Sequence, residues 1–200
     1  MIEEHFQKIV DSLVALKDTS ELMLDLAYSS LLLNSRELAQ EVHELEDYVD
    51  DLHTEFELLV LSSGFKQEES KDFLGLIRLG VVTEQIADAA DDIAHIVLRE
   101  LEPHPVLRIA IEEADETVTH AQVSEDSPLR DKTLREARIA DETGMWILAI
   151  RRGKRCIRPK PDTKIEAGDM LIASGYAEGQ DDFKRLVSGR EEAEENIPLF

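Results

Sequence analysis

Two stretches of the chain repeat one arrangement of side chains that could bind a cation. Glu46, Asp50 and His53 follow the spacing carboxylate-x3-carboxylate-x2-imidazole, and Asp88, Asp92 and His95 follow it again. Glu84 extends the second set by another step of four. Residues three and four apart share one face of a helix, and like charges four apart cost a few tenths of a kcal/mol. A hard or borderline metal ion would turn that repulsion into ligation. Carboxylate-x2-His on bundle helices is also the ligation pattern of di-iron proteins. The alternative is a solvated acidic face with histidines at the surface, and it is favoured by the placement of Asp88, Asp92 and His95 opposite Ile86, Ala90 and Ile93. His5, His43, His104 and His120 are read as surface histidines.

A second cluster is basic. Residues 151–160 hold six Lys and Arg and no Asp or Glu. Arg151, Arg152, Arg155 and Arg158, with Lys154, surround a turn at Gly153. Arginine offers planar, bidentate hydrogen bonds to phosphate. The preceding run MWILAI would supply an apolar wall, including Ile147, and Trp146 could stack on a base. Strand alternation keeps Arg151 and Arg152 off a common face. Two other readings stay open: the cations decorate a solvated hairpin, or they dock on an acidic surface of the same or a neighbouring subunit. Trp146 has a core reading as well. Asp162 and Asp169 read as turn residues, and Cys156 reads as a strand cysteine rather than a reactive thiol.

The charge distribution separates the two clusters. The chain has 200 residues, with 22 Lys and Arg against 44 Asp and Glu. Residues 1–116 hold 8 and 28 of these, and residues 117–200 hold 14 and 16. Such asymmetry is expected of two domains with different partners. The first would repel nucleic acid. The apolar runs are far shorter than the roughly 20 residues of a membrane span, so direct membrane insertion is not expected. MIEEHFQK is not a signal peptide, and one cysteine suits a reducing cytosol.

The acidic half must form helices. Ile2, Phe6, Ile9, Leu13, Leu16, Met23 and Ala27 make one stripe at spacings of three and four, interrupted at Ser20. Leu38, Val42, Leu45, Val49, Leu52, Phe56 and Leu59 make a second, and Ile86, Ala90, Ile93 and Val97 a third. Three long helices of a bundle are therefore expected, with Asn34 as an N-cap three residues before Glu37, a turn at Gly64 and a stop at EPHP (102–105). A shorter fourth helix is expected from Val106 to Asp115. From Thr117 the pattern predicts a strand at 118–123, then an amphipathic helix opened by Pro128 and presenting Leu129, Leu134 and Ile139. Gly144, a buried strand at 145–150, a short strand at CIRP, a strand at 169–174 broken by Gly175, and a last helix complete an α+β unit. The boundaries are 1–115 for the bundle, 117–188 for the α+β unit and 189–200 for an acidic tail.

Three long helices carrying Glu46/Asp50, Asp47/Asp51, Glu84/Asp88 and Asp88/Asp92 resemble one half of a PhoU protein. That family binds metal clusters on such faces and regulates phosphate uptake. The second part resembles the RCK C-terminal (TrkA-C) domain. The resemblance runs through SPLRDKTLREARIADETGMWILAIRRGKRCIRPKPDTKIEAGDMLIASG, with Ser127-x-Leu129, Lys132-Thr133-Leu134, Gly144, Pro159-x-Pro161-Asp162-Thr163 and Gly168-Asp169-x-Leu171-Ile172 in register. It implies a module that pairs with a second copy and binds a small regulatory ligand, cyclic di-AMP in some members and divalent cations in others. No GxGxxG is present, so no NAD or ATP site is identified.

The fold class expected is thus multi-domain: an all-α three-helix bundle followed by a small α+β domain. The function expected is a cytoplasmic regulatory subunit, at the membrane through its partner, of an integral membrane cation channel or transporter. Potassium is the expected ion, and a nucleotide or cyclic dinucleotide the expected ligand. A homodimer follows from the self-pairing module. The rivals are a PhoU-like metal-binding regulator of phosphate transport or signalling, and an iron- or zinc-carboxylate bundle with redox or storage activity. With no nucleophile–base pair and no phosphate-cradling glycine loop, catalysis is not expected. The metal expected on the acidic helices is a divalent or iron-type ion.

Overall fold

The computed structural model describes residues 2–64, 66–99, 106, 109, 116–153 and 155–189. The chain divides into two compact units, residues 1–102 and 103–200. The first is a bundle of α1 (Ile2–Leu33), α2 (Arg36–Leu61) and α3 (Ser70–Leu98).

Most of the first two stripes lie where periodicity places them. Ile9, Leu16, Met23 and Ala27 of α1 are buried, as are Leu38, Val42, Val49, Leu52 and Phe56 of α2. Ser20, the polar interruption, is also buried, and its hydroxyl donates to Leu16 O at 2.9 Å. A helical serine can thus satisfy itself inside a core. The cap differs from expectation by one residue. Asn34 lies at φ 47 and ends α1, a left-handed position that Asn tolerates. Ser35 is the N-cap of α2, and its side chain accepts a hydrogen bond from Leu38 N.

The third stripe is rotated from its expected face. Ala90 and Val97 are buried, but Ile86 is 42% exposed. The buried face of α3 is Phe73, Gly80, Thr83, Ala87, Ala90, Ala94 and Val97. Small side chains, rather than the largest apolar ones, occupy most of it, because helices approach closely only where little stands between them. At Gly80 an added Cβ would lie 2.7 Å from the Phe56 ring, and Phe56 is fully buried. The fourth helix expected at 106–115 and the stop at 102–105 lie outside the described residues, apart from Val106 and Ile109. The acidic tail from residue 190 onward lies outside them as well.

The second unit is a four-stranded antiparallel sheet in the order β1 (Glu116–Gln122), β4 (Met170–Tyr176), β2 (Met145–Arg152), β3 (Arg155–Ile157). Two short helices, α4 (Leu134–Ala137) and α5 (Ile139–Thr143), precede β2, and α6 (Gln180–Ser188) follows β4. The amphipathic helix expected after Pro128 is thus shorter and split. Thr133 and Glu136 form a capping box that starts α4, and Arg138 at φ 47 separates α4 from α5. The core positions expected of it still hold, with Leu129 and Ile139 buried and Leu134 packed against them. Met145, Ile150, Ile165, Leu171, Ala173, Phe183 and Val187 complete this core.

Two strand details depart from expectation. MWILAI is not buried throughout: Trp146 is 68% exposed, and the pairing with β4 shifts register between Ile147 and Ala149. A bulge of this kind re-aims the side chains around it. Gly175 does not break β4. It pairs with Met145, and a Cβ there would lie 2.3 Å from Gly144 O, so glycine serves close strand approach rather than termination.

Candidate functional sites

The first site lies along α2 and α3. The structure regroups the expected trios across the two helices. Glu46 and Asp50 from α2 meet Asp88 from α3, with carboxylate oxygens within 4.8 Å of one another. The Glu46 carboxyl is raised above its ordinary value of 4.5, by burial first and then by Asp50, Asp91, Asp47 and Asp88. Glu84 is raised by burial and by Asp88, an effect that His53 opposes. Oxygen-only donors of this kind suit a hard divalent cation, which would remove the repulsion.

His53, Asp92 and His95 are not in that group. His53 stands 3.5 Å from Glu57, and its buried Nε2 has no hydrogen-bond partner. Asp92 is exposed. His95 instead joins His43 and Asp91. The pairs Asp50/His53 and Asp92/His95 therefore do not converge as di-iron ligation requires. His43 and Asp91 were not singled out by spacing. The Asp91-x3-His95 step was readable, but the approach of His43 depends on the pairing of two helices.

The second site lies on β2. Arg152 points at its own domain: Nε and Nη2 donate to the two oxygens of Asp169 at 2.8 Å each, Nη1 to Glu166 at 2.6 Å and Nη2 to Lys164 O at 2.8 Å. Asp169 is 1% exposed and also accepts from Glu166 N. Arg152 and Asp169 are thus a structural pair, and neither a turn role alone nor an anion contact describes them. Asp169 holds the Arg152 guanidinium above its already high ordinary pKa.

A cavity of about 530 Å³ opens beside this strand. Trp146 and Ile147 line it, whereas Arg151, Arg152, Arg155 and Arg158 do not, and Lys154 lies outside the described residues. Its cations are Arg135, Arg138 and Lys160. Arg135 and Arg138 come from the α4–α5 junction, and Arg138 also pairs with Asp141 at 2.8 Å. Pro159 and Pro161 form part of the wall, tied down by the bond from Arg135 N to Pro161 O at 2.9 Å. Basic residues three apart in LREAR were the available signal, but the density of charge at 151–158 outweighed it.

Two domain families account for these units. Residues 13–97 match the PhoU domain and residues 118–188 the TrkA-C domain, so the chain carries a PhoU domain followed by a TrkA-C domain. Potassium channel protein 1 of Methanocaldococcus jannaschii is 37% identical over 70 residues, covering 34% of this chain and 21% of that protein. Probable potassium channel protein 2 of the same organism is 36% identical over 84 residues, covering 40% and 24%. The matches thus span under a quarter of those relatives' length. Among solved structures, the GsuK RCK domain aligns with 55% of this chain and 25% of its own at 24% identity and a TM-score of 0.33. The GsuK channel bound to NAD aligns with 58% and 21%, at 21% identity and a TM-score of 0.34.

Proposed function

We propose that the chain is a non-catalytic regulatory subunit of a membrane cation channel or transporter, with potassium as the ion. Its TrkA-C domain senses a small anionic ligand, a nucleotide or cyclic dinucleotide, in the cavity beside β2. One observation carries this reading: Arg135, Arg138 and Lys160 share that cavity with the exposed ring of Trp146. Guanidinium groups match phosphate, and an exposed aromatic face stacks a base for about 1–3 kcal/mol. A volume of about 530 Å³ lies in the range of small-ligand sites. The two potassium channel relatives support the choice of ion. No described helix is long and apolar enough to cross a membrane; the subunit works in the cytoplasm and meets the membrane through its partner. Switching follows if the ligand favours one of two arrangements of a homodimer.

A thermal-shift series with nucleotides, cyclic dinucleotides and inorganic phosphate tests this. A ligand specific to the folded state at 100 times its Kd adds about 2.7 kcal/mol and raises Tm. The rise must be lost in the Arg135→Ala/Lys160→Ala variant. Absence of a shift with every compound overturns the reading.

A second reading, a PhoU-like metal-binding regulator of phosphate transport or signalling, is favoured by the Glu46, Asp50 and Asp88 group. It predicts that Mg²⁺, Ca²⁺ or Mn²⁺ raises the Tm of the bundle and that Asp50→Ala/Asp88→Ala abolishes the effect.

A further inference from the structure

The flank of α3 turned away from α2 carries an apolar seam. Glu84, Asp88 and Asp91 each follow a buried position, Thr83, Ala87 or Ala90, and each meets groups of α2. Successive residues stand about 100° apart around a helix, so the residues that precede a buried position lie on the opposite flank. These are Leu79, Val82, Ile86, Ala89, Ile93 and Ile96, spaced alternately by three and four. That alternation marks a helix that packs along another helix, yet Leu79, Val82, Ile86 and Ile96 are 42–53% exposed. Among three mutually packed helices, α1 lies on this side of α3. Its exposed Phe6, Val10 and Val14 share a face at steps of four, and the Phe6 ring reaches across to Phe73 at 6.4 Å between centroids. The border of α1 is acidic, with Glu4, Asp11, Asp18 and Asp25 recurring every seven residues. Lys17 beside them is paired with Glu21 at 2.7 Å and Asp18 at 3.5 Å. The outer border of α3 is mixed, with Arg78 and Asp92 exposed.

We propose that this α1–α3 face docks an amphipathic helix of another protein, one whose apolar stripe is flanked by Lys and Arg. A seam with a period of three and four receives the matching stripe of a partner helix, with anchors at i, i+3, i+4 and i+7. The acidic border of α1 selects the charge of that partner. A second copy is the wrong occupant, because each copy brings 28 Asp and Glu against 8 Lys and Arg in residues 1–116. An anionic bilayer is repelled by the same charge. Lys and Arg concentrate on the cytoplasmic side of membrane proteins, so a juxtamembrane helix of the transport partner has the required chemistry. That last step rests on the regulatory-subunit reading, whereas the docking chemistry does not, and neither depends on ligand sensing at β2.

The test titrates the full chain into three synthetic labelled peptides of about 20 residues, long enough to form a helix. One carries a Leu stripe at alternating steps of three and four with Lys on both flanks. The second replaces each Lys with Glu, and the third keeps Lys but replaces each Leu with Gln. Fluorescence anisotropy must show saturable one-to-one binding of the Leu/Lys peptide, at least tenfold tighter than either control and weakened by salt. Val82→Gln/Ile86→Gln must weaken it at least tenfold, and Leu58→Gln, at an exposed position of α2, must leave it unchanged. Methyl resonances give a check that needs no variant: those of Leu79, Val82 and Ile86 must shift during the titration and those of Leu58 must not. Equal binding of the two Lys peptides, tighter binding of the Glu peptide, or unchanged affinity in the Val82/Ile86 variant would overturn the proposal. So would a dimer in sedimentation equilibrium that this variant dissociates, since a second copy would then cover the face. The nucleotide thermal-shift series reads the other domain, so either reading can fail without the other.

Discussion

Arg152 and Asp169 close a two-point ion pair across the second unit, with the carboxylate at 1% exposure and the guanidinium at 33%. Arg152→Ala would leave Asp169 buried with only main-chain donation from Glu166 N. Removing one partner of a buried pair costs about 3–5 kcal/mol, and the exposure of Arg152 puts this variant near about 3. The loss should appear as faster amide hydrogen exchange across β2 and β4, with α1–α3 unchanged. Equal exchange in both proteins would show that the pair contributes little.

Acidification tests the carboxylate group. Glu46 and Glu84 have folded-state values raised above 4.5. Between the ordinary and the raised value the folded state binds more protons than the unfolded one, so stability falls as pH rises through this window. At pH 7 the charge on Glu46 is therefore destabilising. Glu46→Gln should stabilise the bundle by about 0.5–1 kcal/mol at pH 7, scaling the cost of like-charge pairs, and the gain should vanish below the ordinary carboxylate range. Urea midpoints of the two proteins across pH measure it. A gain that persists at low pH would point to a cause other than charge.

Trp146 separates stability from binding. With 68% exposure it supplies little packing, so Trp146→Ala should change stability by less than about 0.5 kcal/mol. The same variant should lose the Tm increase caused by the nucleotide identified in the screen. If melting drops sharply without ligand, the ring has a packing role that its exposure conceals.

Gly80 tests helix approach. Gly80→Ala places a methyl 2.7 Å from the Phe56 ring, and overpacking of this kind costs about 1–3 kcal/mol. Gly75, on the same helix with open space around its Cβ position, is the control: Gly75→Ala should be stabilising, since alanine is the better helix former by about 1 kcal/mol. Thermal melts of both variants decide it.

The chain's residue pattern alone determined the division of labour. Periods of three and four specified three helices, short apolar runs specified strands, and the PhoU and TrkA-C resemblances rested on residues spaced along single segments. These are local properties, because side-chain period follows backbone geometry. What touches what across segments was decided only by tertiary structure. The rotation of α3 follows its buried small residues Gly80, Ala87 and Ala94, the first of them against the Phe56 ring, and it sets Ile86 outside. The approach of His43 to Asp91, and of Asp88 to Glu46, depends on the register between helices, which no spacing within one helix encodes. Arg152 left the basic cluster because Asp169, seventeen residues on, is buried and required a partner. Proximity between segments is governed by packing and charge satisfaction in three dimensions, and periodicity along the chain carries no information about either.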